Sequence, residues 1–272
     1  MSLNIPDYPL PTLNRLGVSP SSLSTTIDAK VIASSWLSSL KDAASTSPPS
    51  VSGVLALLLP DAFWRDMFAL TWDIRTFAGH DKISKFLEDR LSLNKLKGFK
   101  LKEDFPPKLD RPFEDIAWIM FVFEFETEVG VASAIVRLVP VPSHPELEND
   151  HDLQWKAHVV FTNLESLLAF PPNVGPRRNS QPNHGKWEAQ REREVDFTDV
   201  EPKVLIIGAG QSGLEVAARL KVLDIPSLIV ERNAKVGDNW RQRYEALCLH
   251  DPVCECIHQP FFSLLEAYPR FK

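Results

Sequence analysis

Chemistry is concentrated on the C-terminal side of the sequence. There the apolar run 203–207 (KVLII) leads directly into Gly208-Ala209-Gly210-Gln211-Ser212-Gly213, and Glu231 follows Gly213 by eighteen residues. Glycines at these three positions suit a bound diphosphate. Gly208 permits a tight turn, Gly210 lets the backbone approach the phosphates, and Gly213 lets the following helix pack closely on the strand. The first N–H groups of that helix, those of Gln211 and Ser212 among them, bind phosphate with help from the positive end of the helix dipole. Glu231 is placed to accept hydrogen bonds from the 2′- and 3′-hydroxyls of an adenosine ribose. The same carboxylate repels a 2′-phosphate, so the spacing predicts FAD or NAD and not NADP. A glycine-rich turn in an unrelated α/β domain is the plainer alternative. A bare GxGxxG is weak, but here it follows a buried strand, opens a helix and ends in an acid within a unit of about thirty residues.

The elements that must hold these residues follow from hydrophobic periodicity. Residues 203–207 form a continuous apolar strand, as expected in a parallel sheet buried on both faces. A helix over 214–223 and a second strand over 227–230 complete a βαβ unit. Upstream, Ile27, Val31, Ile32, Trp36, Leu37 and Leu40 recur along one helical face and predict a helix over 27–42 with Thr26 as its N-cap. Residues 61–70, which group Phe63, Trp64, Met67 and Phe68, read as a second amphipathic helix. Residues 81–91, burying Ile83, Phe86, Leu87 and Leu91, read as a third. The period then changes to two. Residues 116–125 and 129–139 flank a short turn containing Gly130, and Trp155, Ala157, Val159 and Phe161 alternate with their neighbours over 153–163. Helices followed by long antiparallel strands predict an α+β domain over 26–170, with the helices on one face of a curved sheet. An irregular leader (1–25) precedes it. A polar, Pro-punctuated linker (171–201) separates it from the nucleotide-type segment (202–272).

Composition narrows the function. A formal net charge of −6 argues against a general nucleic-acid binder, which shows a basic excess, and Arg177-Arg178 and Arg191 with Arg193 read as a solvated linker face. No apolar run approaches the ~20 residues that span a bilayer, and the N-terminus carries no secretory pattern. The expectation is therefore a cytoplasmic protein acting on a small molecule, without membrane or nucleic-acid partners; its oligomeric state is not readable. The three cysteines, Cys248, Cys254 and Cys256, are too few and too clustered for a disulfide framework. Cys254 and Cys256 with His250 and His258 give the spacing H-x3-C-x-C-x-H, which is not that of a common zinc module. No metal site is expected.

Residues 204–252 closely resemble the FAD-binding opening of the flavin-containing monooxygenase class, including its indole-pyruvate (YUCCA-like) branch. The likeness runs through Gly237-Asp238-Asn239-Trp240, Arg243-Tyr244 and Leu247-x-Leu249-His250-Asp251. It implies that Asn239, Trp240 and His250 lie along the flavin. Upstream, FWRDMFALTWDIRTFAGHDKISKFLEDRL resembles the NTF2-like α+β cone fused ahead of the flavin domain in fungal and bacterial members, and NHGKWEAQRERE resembles their connecting segment. The resemblance thus implies an NTF2-like cone followed by an incomplete α/β Rossmann-type FAD-binding unit. It implies FAD as cofactor, with NADPH- and O2-dependent monooxygenation in the full-length parent. The glycine inventory forms one GxGxxG only, and the tail departs from the family pattern after Val253. The expectation is a chain truncated after the first βαβ unit, without the NADPH site and not competent by itself. The alternative is an NTF2-like small-ligand or interaction module carrying a vestigial nucleotide fragment. In such a cone Asp66, Asp73 and His80 are candidates for acid–base work, or simply polar residues at the ends of elements.

Overall fold

The structure is a computed structural model and describes residues 8–21, 23, 27–143 and 152–245. The chain divides into two compact units, Met1–Ala169 and Phe170–Lys272.

In the first unit, helix α1 (Ala29–Ser45) buries Ala33, Trp36, Leu37, Leu40 and Ala44. Its N-cap is Asp28 and not Thr26: the Asp28 carboxylate accepts the N–H groups of Lys30 and Val31, both at 3.0 Å. An ionised cap also suits the positive helix end. Helix α2 (Val51–Ala56) is capped by Ser50, whose Oγ accepts from the Gly53 N–H at 3.1 Å. Strands β1 (Leu58–Met67) and β2 (Ile74–Ala78) precede helix α3 (His80–Asn94), which buries the expected Ile83, Phe86, Leu87 and Leu91. Strands β3 (Lys97–Leu101), β4 (Lys108–Phe113), β5 (Ile116–Glu126), β6 (Gly130–Pro142) and β7 (Leu153–Leu167) follow. They build one sheet in the order β2-β1-β7-β6-β5-β3, with β4 also paired to β5. The long strands β5, β6 and β7 are antiparallel, as their alternation predicts. The β1–β7 pairing is parallel.

The helix expected over 61–70 is not formed; these residues belong largely to β1. The spacing of Phe63, Trp64, Met67 and Phe68 is helical, whereas a period of two puts Phe63 and Met67 on the face opposite Trp64. The alternation is hidden because the buried positions are Ala62, Trp64 and Asp66, an acid among them, while Phe63 and Met67 lie on the other, half-buried face. Pairing on both edges, with β2 and with β7, overrides the local period.

The inner face of the sheet is lined by Ile119, Phe121, Phe123 and Phe125 from β5 and by Ala132, Ala134, Val136 and Leu138 from β6, all buried. Aromatic rings fill the space beneath the helices. Trp36 meets Phe121 edge-on at 5.7 Å, Trp64 meets Phe86 at 5.8 Å, and Phe77 stacks on Phe86 at 4.1 Å. Each such side chain contributes up to about 3 kcal/mol by burial. The irregular residues ahead of α1 also pack, with Leu13, Val18 and Leu23 buried against Ala117.

The second unit contains a 3-10 turn at Gly175–Arg177 and helix α4 (Trp187–Val195), which buries no residue. Strand β8 (Val204–Ile207), helix α5 (Gln211–Val222) and strand β9 (Ser227–Val230) then form a βαβ unit, followed by α6 (Asp238–Arg243). β8 and β9 run parallel, from Val204 beside Ser227 to Ile207 beside Val230. Among the described residues, Ile206 is 9% exposed, whereas Leu205 and Ile207 on the opposite face are 61% and 84% exposed.

Candidate nucleotide site

The glycine motif forms the turn from β8 into α5, and two of its glycines are demanded by the backbone itself. Gly208 has φ +101°, a left-handed value that a side chain resists, and a Cβ on Gly213 would overlap the carbonyl oxygen of Gly208. Gly210 is different. Its φ of −76° suits any residue, and a Cβ there would meet only Asn239 Nδ2, at 3.4 Å. Folding therefore does not require this glycine, but an approaching ligand would. Gly210 is also the N-cap of α5 and offers no side chain to it. The first N–H groups of the helix, those of Gln211 and Ser212 included, thus receive no side-chain cap and remain available to an anion.

Glu231 stands directly after β9 and is tied to this loop. Its Oε2 accepts the Ala209 N–H at 2.6 Å, and its Oε1 accepts the Asn233 N–H at 2.8 Å. Donation from Asn233 first, then Ala209, holds the carboxyl below the usual carboxylate range. An ionised Glu231 keeps lone pairs beyond these two bonds and can still accept from ribose hydroxyls. Gln211, Asn239, Trp240, Arg243 and Tyr244 line a cavity of about 260 Å³ beside the loop. The sequence-expected Gln211, Asn239 and Trp240 thus come together, and the Trp240 and Tyr244 rings lie 5.8 Å apart. In the sequence Arg243 and Tyr244 stand out only through the resemblance, and their lining role emerges from the fold. Their spacing after Trp240 was the available signal, since i+3 and i+4 share a helical side. A larger cavity of about 860 Å³ lies elsewhere in the second unit, lined by α4 together with Phe197, Ala217, Lys221 and Ile225, and contains none of the glycine-motif residues.

His250, Cys248, Cys254, Cys256 and His258 lie outside the described residues. Among the described residues no group of three or more His, Cys, Asp or Glu could hold a metal ion, and no helix is long and apolar enough to cross a membrane.

The cone candidates do not form an acid–base constellation. Asp66 is fully buried, and its carboxylate accepts from Leu70 N (3.1 and 3.2 Å), Thr71 N (2.8 Å), Thr71 Oγ1 (2.7 Å) and Thr162 Oγ1 (2.7 Å). Those donors satisfy its oxygens and fix the loop after β1. Asp73 is exposed and lies below the usual carboxylate range because Arg75 donates to it, with help from the Ile74 N–H. His80 opens α3 with its Nε2 buried and without a hydrogen-bond partner. No hydrogen bond joins any two of the three among the described residues.

No protein-family model matches the chain. It is 44% identical over 68 residues to the indole-3-pyruvate monooxygenase YUCCA8 of Oryza sativa subsp. indica, covering 24% of this chain and 16% of that protein. It is 38% identical over 71 residues to YUCCA1 of Oryza sativa subsp. japonica, covering 26% and 17%. The chain thus spans about a sixth of the length of these curated relatives. Among solved structures, an NTF2-like protein of unknown function from Pseudomonas putida KT2440 is 13% identical. It covers 52% of this chain and 88% of that one, at a TM-score of 0.34. A steroid delta-isomerase from Pseudomonas aeruginosa is 14% identical, covers 51% and 82%, and has a TM-score of 0.28. These scores are low, and the architecture of the first unit stands on its own strand order and helix packing. Over about a quarter of its length the chain is similar to YUCCA flavin monooxygenases, and this similarity accompanies an α+β unit followed by a small parallel βαβ unit.

Proposed function

We propose that the second unit binds the ADP half of FAD and that the protein serves a flavin-dependent monooxygenase reaction using NADPH and O2 on a small molecule. The observation that carries this reading is the βαβ turn itself. Two of its glycines are required by the backbone, the third keeps space open in front of α5, and an ionised Glu231 is fastened to the same loop. The residues present fit the group. The N–H groups of Gln211 and Ser212 would hold phosphate, Glu231 the ribose hydroxyls, and Asn239 and Trp240 the part of the cofactor beyond. When bound, the flavin supplies the redox and oxygen chemistry, which side chains cannot provide. The protein's own residues bind and orient it.

The test is a titration of the purified chain with FAD, ADP and NADP, followed by flavin fluorescence and calorimetry. FAD and ADP should bind in preference to NADP, and Gly213→Val should abolish binding because its side chain displaces the Gly208 carbonyl. Tighter binding of NADP than of FAD would refute the assignment.

A second reading, an NTF2-like interaction module, is favoured by one observation in the first unit. The bonds to Asp66 hold residues 68–73 in a fixed loop that presents Phe68 (42% exposed) and Trp72 (68% exposed), while rings fill the space between sheet and helices. That combination suits contact with a partner better than enclosure of a small ligand. If neither FAD nor ADP binds in excess, the module reading stands alone.

A further inference from the structure

We infer that Arg243 is the cation that recognises the diphosphate of a bound nucleotide, so that this site selects nucleoside diphosphates and their esters over monophosphates. The inference rests on the nucleotide reading of the glycine loop and assigns a specificity-determining residue within it.

Two arginines of α6 are placed very differently. Arg241 is satisfied by its own turn. Its Nε donates to Asp238 Oδ1 at 3.0 Å, its Nη2 lies 2.8 Å from the same carboxylate, and it also donates to the Val236 carbonyl at 2.9 Å. Arg243, two residues on, is rotated by about 200° around the helix axis. Among the described residues its guanidinium has no carboxylate partner; it lies 5.4 Å from the centre of the Tyr244 ring and lines the cavity beside the glycine loop. Two acids of this region are committed elsewhere. Asp238 serves Arg241 and the Lys235 N–H, and Glu231 serves Ala209 and Asn233.

The cavity lining has a one-sided chemistry. Gln211, Asn239, Trp240, Arg243 and Tyr244 all carry hydrogen-bond donors, one of them a permanent cation, and none is acidic. Gln211 is also the first residue of α5, and Asn239 stands against Gly210, so the cavity adjoins the loop. The backbone N–H groups of the helix start serve one phosphate without any side chain. A second phosphate brings further charge and acceptor oxygens, and a planar guanidinium binds such oxygens in pairs. Tyr244 beneath the guanidinium holds it in place without neutralising it.

The experiment is isothermal titration of the whole chain with ADP and with AMP, for the wild type, Arg243→Ala and Arg243→Lys. Arg243 is exposed, so its variants should keep the wild-type circular dichroism. The wild type should prefer ADP. Arg243→Ala should weaken ADP by about tenfold or more while moving AMP by less than about twofold, and Arg243→Lys should restore part of the difference. ADP binding that keeps the wild-type ADP-to-AMP ratio in Arg243→Ala would overturn the inference, as would an equal loss of both ligands. Failure of the underlying nucleotide reading looks different, because the wild type itself would then bind neither ADP nor FAD.

Discussion

The two units of this chain solve opposite problems. The first has a seven-stranded sheet whose inner face is covered by three helices and filled with aromatic rings. Its one buried acid among the described residues, Asp66, is fully hydrogen-bonded. Among its described residues the second has two strands, one closely tailored turn, and a sheet face on which Leu205 and Ile207 remain open. Two-stranded sheets are marginal by themselves, so little burial supports the glycine turn. Packing organises the first unit, and backbone hydrogen bonds and glycine geometry organise the second. Dense packing and candidate chemistry therefore occur in different places, and a ligand that bridges the loop, Glu231 and α6 would add to the second unit the cohesion that burial gives the first.

Substitutions can break or sharpen this contrast. The largest effect should come from Phe123→Ala, which opens a cavity in the first core and should cost roughly 3–5 kcal/mol in denaturant unfolding. A comparable loss from Ile206→Ala would show that the second unit has a true core of its own. Next comes Asp66→Ala. It strands buried donors of Leu70, Thr71 and Thr162 and should destabilise the first unit by on the order of 3 kcal/mol, leaving nucleotide affinity untouched. Glu231→Ala should do the reverse, weakening FAD and ADP by about tenfold without moving the thermal transition of the first unit. Equal effects on both units would erase the distinction.

The smallest expected effect is a difference in acid response. Burial, with Arg15 and Arg137 assisting against Asp61, lowers the His158 pKa from 6.5, so the folded first unit holds this ring neutral. The unfolded chain binds the proton first, and stability is lost as pH falls from about 6.5 toward the lowered folded value. Glu231 has a carboxyl pKa lowered from 4.5. Its contribution is present above that value and is lost as pH falls through the depressed one. Melting curves between pH 8 and 5 should therefore show a shallow acid loss in the first unit that His158→Gln removes, while Glu231→Ala leaves the profile in that range unchanged.

What the sequence reveals and conceals follows the same division. The alternation in β5, β6 and β7 is legible because each strand buries one face against apolar partners. The glycine turn is legible because its requirements are local: an overlap at Gly213 and a left-handed φ at Gly208. β1 is not legible. Asp66 points inward only because Thr162, 96 residues away, meets it there, and no window around residues 61–70 contains that information. β2, β3 and β4 are short edge or near-edge strands with mostly exposed or half-buried residues, so they carry no strong period. Arg243 is visible in the sequence as one arginine of two. Only the Asp238–Arg241 pair, once formed, shows which of them has no carboxylate partner among the described residues.

The buried Asp66 carboxylate has a consequence for motion. Residues 68–73 form a surface loop, and such loops usually exchange their amide hydrogens by small local openings. Here the N–H groups of Leu70 and Thr71 donate to an acid that is sealed in the core, and the Leu70 carbonyl accepts from Asn94 Nδ2 at 3.1 Å. Opening the loop would leave the acceptor oxygens of a buried carboxyl group without donors in an apolar interior, so those two amides should exchange only when the whole unit unfolds. In deuterium labelling they should rank with the central strands, and the bulky Phe68, held at φ +62°, belongs to the same cooperative block.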